Sequence, residues 1–213
     1  PVSTLAMPSY KLSEFDTRGL AEVSRQLFIL SGTPYEDNRI SKDQWPALKE
    51  KYGFGELPVL EVDGKQIPQS LAIARYLAKE FGFYGANAFE AAWIDALADQ
   101  AKDFISDIHP YFAIAMGMVA GDTDKAKAEI ALPAIKKHFD LFEKVAKDNG
   151  SNSHFVGSNF SYFDILISEF VFSIDSFLPG SFDAFPTVLA VRAKVTSIPA
   201  IKEWIEKRPK TVT

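Results

Sequence analysis

FGELPVLEVDGKQIPQS, residues 54–70, is the stretch whose reading decides the fold. Val59, Leu60 and Val62 make a short extended run, Asp63-Gly64 is a tight-turn dipeptide, and Ile67 opens a second run. Together they predict a β-hairpin. Pro58 precedes the first strand, where a missing N–H is tolerated and a cis bond is accessible. Pro68 leads into Gln69-Ser70, after which Leu71, Ala74, Leu77 and Ala78 share one helical face, so Ser70 is placed to cap a helix. The ordinary reading is a hairpin followed by a capped helix. The sharper one is a carboxylate site, because a helix start offers free N–H groups and the positive end of the dipole.

Upstream, Tyr10 to Phe15 alternates as a strand does, and Asp16-Thr17-Arg18-Gly19 is a turn. Leu20, Val23, Leu27 and Leu30 then form a helical face that Ser31-Gly32 ends. Tyr35 to Ile40 reads as extended, and Trp45 to Tyr52 as irregular or briefly helical. The order is β-α-β-α-β-β-α, and its first crossover joins parallel strands right-handedly.

Downstream, FYGANA at 83–88 reads as a linker, and strand signals vanish after it. Phe89 to Val119 has helical periodicity through Trp93, Leu97, Ala101, Phe104, Ile105 and Ile108, with Pro110 expected to kink or interrupt it and Gly121-Asp122 to break it. Asp124 to Lys147 is a second long helix, with Ile130, Ile135, Phe139, Leu141, Phe142 and Val145 inward, and 148–153 is a polar loop. Ser161-Tyr162-Phe163-Asp164 matches a capping box, with Asp in place of Glu or Gln, and Phe160 and Ile165 can staple it. The helix it starts runs to about Leu178, apolar enough to lie centrally, and two helices, Pro186 to Ser197 and Pro199 to Lys207, close the chain. The expected fold class is therefore α/β plus all-α: a small α/β domain over 8–82 and an all-helical domain over 89–213.

The 213 residues are 47% hydrophobic and 24% charged, ordinary for a globular protein with a sizeable core. A net charge of −5 and the lack of a basic stripe argue against nucleic-acid binding. With no cysteine there is no disulfide, thiolate metal site or cysteine nucleophile, and His109, His138 and His154 lack metal-site spacing, so no metal is expected. No apolar run approaches the roughly 20 residues of a membrane span. PVSTLAMPSYKL is no signal peptide, Met7 is a natural start with 1–6 an extension, and a cytoplasmic location is expected.

Several stretches in one order carry a family resemblance. They are YKL-x-x-F-D-x-R-G-x-A-E-x-S-R at 10–25, Y-E-D-N-R-I at 35–40, W-P-A-L-K at 45–49 and F-G-x-L-P-V-L-E-V-D-G at 54–64. Q-S-x-A-I-A-R-Y-L at 69–77, the capping box at 161–164 and I-P-A-I-K-E-W-I-E-K-R-P at 198–209 complete the set. From Pro8 onward the chain resembles the cytosolic glutathione transferases, most closely their sigma-type branch with the nematode enzymes and haematopoietic prostaglandin D synthase.

The resemblance implies that the 8–82 domain is thioredoxin-like and holds glutathione, that glutathione is a co-substrate with no separate cofactor, and that the chain conjugates it to small electrophilic or hydrophobic acceptors. It implies that Pro58 is cis and that the backbone of Leu57 pairs with the cysteinyl part of glutathione as an added strand would. Gln69 and Ser70 would grip the γ-glutamyl carboxylate, Trp45 and Lys49 the glycyl end, and Asp103 of a neighbouring subunit the amine, making a homodimer part of the site. Phe15 would serve both glutathione and the acceptor pocket, with Leu20 and Ile105. Outside the resemblance, Trp45 reads as core packing, and Lys49 and Asp103 as solvated helix faces.

One departure bears on chemistry. Sigma-type enzymes have a tyrosine at the end of the first strand whose hydroxyl donates to the sulfur, and here that position is Glu14. A thiol with a pKa near ~8.5 needs a donor or a positive field to ionise at neutral pH. Like charges 4 Å apart repel by about 4 kcal/mol at an effective dielectric near 20, enough to raise a thiol pKa by roughly 3. An ionised Glu14 is thus expected to impair activation, whereas burial would let the neutral acid donate. Tyr10 sits four residues too early to substitute. Among nearby hydroxyls Thr17 is better placed than Ser13, which alternation puts on the opposite face. Glu56, where the family has Lys or Gln, adds negative charge near an anionic ligand. The competing expectation is a non-catalytic glutathione- or ligand-binding member, or a structural protein of the kind the lens crystallins of this family are.

Overall fold

A computed structural model describes residues 7–150 and 153–211. Residues 1–6, and 151–152 of the expected 148–153 loop, lie outside the described set. The described chain forms two compact units, 7–82 with 199–211, and Phe83–Ile198.

The first unit contains β1 (Tyr10–Phe15), α1 (Glu22–Ser31), β2 (Glu36–Ile40), α2 (Trp45–Leu48), β3 (Val59–Val62), β4 (Lys65–Pro68) and α3 (Ser70–Phe81). The sheet order is β2-β1-β3-β4, with β1 parallel to β2 and antiparallel to β3, as a crossover followed by a hairpin requires. At the hairpin tip Asp63 and Gly64 both have positive φ, 49° and 78°, which a two-residue primed turn demands and Asp-Gly supplies. Asp63 also accepts from Ser9 N–H at 2.9 Å, fixing the tip to the start of β1.

Alternation along β1 sorts two layers. Tyr10 packs edge-on to Phe28 of α1 and Phe81 of α3. On the other face Ser13 accepts from Asn38 at 2.9 Å and Phe15 meets Trp45, which belongs to a small core of Ile40, Tyr52, Val59, Leu48 and Leu57.

The closing helix α9 (Pro199–Lys207) belongs to this first unit. The helical domain expected to run through residue 213 thus gives up its last helix. The cause is a buried polar latch: Glu22 of α1 accepts from Trp204 Nε1 at 2.7 Å and Arg208 Nη1 at 2.6 Å.

The second unit comprises α4 (Ala88–Ala115), α5 (Thr123–Ala126), α6 (Leu132–Asp148), α7 (Tyr162–Asp175) and α8 (Pro186–Ser197). Asn87 caps α4 by accepting from Phe89 and Glu90 N–H. The helix runs through Pro110, contrary to the expected interruption, because the buried Ile108, Tyr111 and Ala113 on either side anchor both turns. It ends at Ala115 rather than near Gly121, with Gly117 at φ 70° just beyond. A π-helical turn, Lys127–Ala131, separates α5 from α6 and absorbs Pro133, which cannot donate to a regular ladder. Leu141, expected inward, is 39% exposed. The capping box forms at α7, where Asp164 accepts from Ser161 N–H, from its hydroxyl, and from Phe155 N–H at 2.9 Å. Tyr84 and Tyr162 both donate to Asp95, tying the segment before α4 to α7. Among the described residues no helix is long and apolar enough to cross a membrane, and no cluster of His, Asp or Glu could hold a metal.

Glu143 of α6 closes the N-terminus of α8, accepting from Thr187 and Val188 N–H and the Thr187 hydroxyl, with Lys147 at 3.1 Å. Burial alone would raise its carboxyl pKa, but these donors outweigh burial and hold it below the ordinary value. Its folded pKa being depressed, the contribution is present above the unfolded value near ~4.3 and is lost as pH falls through the folded one. Glu143→Ala is expected to cost about 2 kcal/mol at neutral pH and less in acid, read by urea unfolding at both. An equal cost at both would remove the charge from the explanation.

Candidate functional site

The predicted residues of the first unit gather where β1, β3 and α3 begin or end. Register pairs Ser13 with Val59, so Glu14 lies one step beyond, beside the Leu57-Pro58 bond, which is cis. Gln69 stands at the N-cap of α3 with φ 75° and no side-chain capping bond, and Ser70 is the first helical residue. The expected Ser70 cap thus shifts by one, because Gln69 has the non-helical backbone and its carbonyl accepts the first bond, from Ile73 N–H at 2.9 Å.

Glu14 is 4% exposed and lies on the α1 side of the sheet. Its Oε1 accepts from Phe15 N–H at 2.8 Å. Burial pushes its carboxyl pKa up, opposed by the N–H of Phe15, the charge of Arg25 and the N–H of Ala21. Tyr10 is engaged elsewhere. Burial first, then Tyr76, push its phenol up to about 12.

The loop between β1 and α1 is pinned from below by a residue whose role the sequence reading passed over. Arg25 is fully buried, and its Nη1 donates to the carbonyls of Thr17 at 3.0 Å and Arg18 at 2.8 Å. The same nitrogen lies 3.3 Å from Glu22, and Nε donates to Asp37 at 3.0 Å. The missed signal was spacing: Glu22 and Arg25 stand three residues apart on α1, so an ion pair can form along that helix. Arg18 N–H in turn donates to Thr211 at 3.2 Å.

Trp45 is half-buried against Phe15 and Tyr52, so core packing is one of its tasks. Lys49 is exposed and lies across Gly55, where a Cβ would come within 3.1 Å of its Cε. Glu56 is exposed, and its Oε2 lies 3.5 Å from Gln69 Nε2. Leu20 is 47% exposed. Asp103 and Ile105 are on α4 in the other unit, Asp103 exposed and Ile105 half-buried. A shallow hollow of about 260 Å³ on that unit, lined by Asp107, Glu129, Ile130, Pro133, Ala134 and Lys137, contains none of the predicted residues.

Comparison with known proteins bears on the family and the fold. The family described as "Glutathione S-transferase, N-terminal domain" matches residues 10–79, and that described as "Glutathione S-transferase, C-terminal domain" matches 106–208. A protein named probable glutathione S-transferase 5, from Caenorhabditis elegans, is 46% identical over 96% of this chain and 99% of its own. A monomeric glutathione S-transferase from the hookworm Necator americanus superposes with TM-score 0.92 at 46% identity, over 95% of this chain and 98% of that one. Prostaglandin synthase D of Nilaparvata lugens superposes with TM-score 0.85 at 35% identity, over 96% and 100%. Both halves match in order and the relatives align end to end, so the chain belongs to the glutathione S-transferase family.

Proposed function

We propose that the protein joins glutathione, through its sulfur, to small electrophilic or hydrophobic acceptors. The observation that carries this is the start of α3, where Gln69 is held at φ 75° on a helix end without a side-chain cap. Such a backbone costs on the order of 1–3 kcal/mol and persists where function requires it. The γ-glutamyl carboxylate is the proposed ligand of Gln69, Ser70 and the free N–H groups there. The Leu57 backbone takes the cysteinyl part, and Trp45 and Lys49 the glycyl carboxylate. Asp103 of a second copy takes the amine, and Phe15 and Leu20 contact the acceptor. In the reaction the thiol proton passes to water and the sulfur lone pair forms the S–C bond. With an aromatic halide, the carbon–halogen bond breaks and the halide leaves with its electron pair.

Calorimetric titration with glutathione and a conjugation assay with an aromatic halide test this. Ser70→Ala is expected to weaken glutathione binding roughly tenfold or more, the worth of a hydrogen bond to a charged group. If the protein neither bound glutathione nor conjugated it, only the fold would stand. One structural relative is described as monomeric, so the homodimer is tested separately, by sedimentation. A second reading, glutathione binding without turnover, is favoured by the buried carboxyl of Glu14 where the resemblance expects a hydroxyl donor.

A further inference from the structure

The transferase reading leaves Glu56 without a task, although it stands beside Gln69. Its Oε2 lies 3.5 Å from Gln69 Nε2, the amide proposed to grip the γ-glutamyl carboxylate. By charge alone a carboxylate there repels that ligand. The backbone sets its place. Gly55 N–H donates to Tyr52 O at 2.8 Å, and Gln66 of β4 accepts from Gly53 N–H at 3.2 Å and donates to Lys51 O at 3.0 Å. Register pairs Val59 with Pro68, so the residues just before β3 and just after β4 adjoin.

The charges on this surface form a pattern. Glu56 and Gln69 are both exposed, and among the described residues no cation pairs with Glu56. Lys49, whose Cε lies 3.1 Å from the Cβ position of Gly55, is likewise without a carboxylate partner among them. The start of α3 supplies free N–H groups and the positive end of the dipole of a 12-residue helix. Along the proposed ligand the protein therefore offers positive, negative and positive in turn: the start of α3, Glu56 and Lys49. Glutathione carries the complement: a γ-glutamyl carboxylate, an ammonium on the same carbon, and a glycyl carboxylate at the far end.

Resting on the transferase reading, we propose that Glu56 binds the α-ammonium of glutathione, so that the site selects thiol peptides with a free α-amine. A carboxylate and an ammonium borne on one carbon need their partners side by side, and Gln69 with Glu56 is such a pair. The Gln69 amide has two N–H donors, so one can face Glu56 while the other meets the ligand carboxylate. An ammonium has three donors, so Asp103 of a second copy, proposed for the same amine, shares it with Glu56. Glu56 is a binding residue, apart from the chemistry at sulfur. Repulsion and amine capture predict opposite signs for the loss of its charge.

The test is calorimetric titration of the full protein and of Glu56→Gln with glutathione and with its des-amino analogue, in which hydrogen replaces the α-ammonium. Glu56→Gln keeps the size and polarity of the side chain and removes its charge. The unaltered protein is expected to bind glutathione more tightly than the analogue. Glu56→Gln is expected to lose about 3- to 10-fold in glutathione affinity, between the worth of an exposed ion pair and that of a hydrogen bond to a charged group, with the analogue bound as well as before or better. Added salt should narrow the preference of the unaltered protein by screening. Tighter glutathione binding by Glu56→Gln would reveal repulsion and overturn the proposal, as would a ratio between the two ligands that Glu56→Gln leaves unchanged. In either case glutathione binding keeps the transferase reading intact. Absence of glutathione binding by the unaltered protein would overturn both.

Discussion

Glu22→Ala is expected to lower the unfolding free energy by about 3–5 kcal/mol, because removing one partner of a buried ion pair strands the other. Here two cations lose a contact at once, although Arg25 keeps Asp37 and the loop carbonyls. Glu22 is 1% exposed and meets Arg25 at 3.3 Å and Arg208 at 2.6 Å, with Trp204 Nε1 also on its Oε1 at 2.7 Å. The first pair lies under the loop that carries Thr17, and the second holds α9 against α1. The loss should appear in urea unfolding and, separately, as cleavage of residues beyond Ile198 under limited proteolysis, since α9 buries only Ile201 fully besides this latch. Glu22→Gln keeps the acceptor and the shape and should cost less than Glu22→Ala. A cost below about 1 kcal/mol for Glu22→Ala would mean that both arginines find other partners.

The latch also shows where sequence reading stopped. The hairpin was legible because two positive-φ positions in a row admit few residues, and Asp63-Gly64 are among them. The capping box was legible because its partners are three residues apart. Amphipathic periodicity announced α9 as a helix with a buried face, but periodicity names no partner for that face, and the partner was Glu22, far away in sequence. That Pro110 does not interrupt α4 has a related reason: the proline's penalty is local, and the packing of Ile108 and Tyr111 that keeps the helix continuous is tertiary. At the site, Glu14 was visible as a departure, yet whether its carboxyl faced solvent, Arg25 or the loop depended on burial and on the absent side chain of Gly19. Glu56 lay beyond reach in the same way, since its contact with Gln69 joins the two ends of the hairpin.

Glu14→Tyr is expected to raise turnover with an aromatic halide by about 100-fold near neutral pH, the scale of a single well-placed donor to a developing anion. Two effects act in the same direction. A tyrosine side chain is longer than that of glutamate, so its hydroxyl can donate to the sulfur directly. Its ordinary pKa near 10 also keeps it neutral where a carboxyl ionises, so the repulsion of the thiolate disappears over the working range. The ring must leave the interior volume that Glu14 fills, and crowding would arise beside Gly19, where Glu14 Oε2 would lie 3.2 Å from an added Cβ. A rise in kcat with unchanged glutathione affinity, and loss of any descending pH limb, would assign the change to the sulfur alone. An unchanged rate in a folded, glutathione-binding Glu14→Tyr protein would mean that position 14 does not face the sulfur. The idea of an impaired thiol would then fall, leaving the strained start of α3 as the part of the site that still stands.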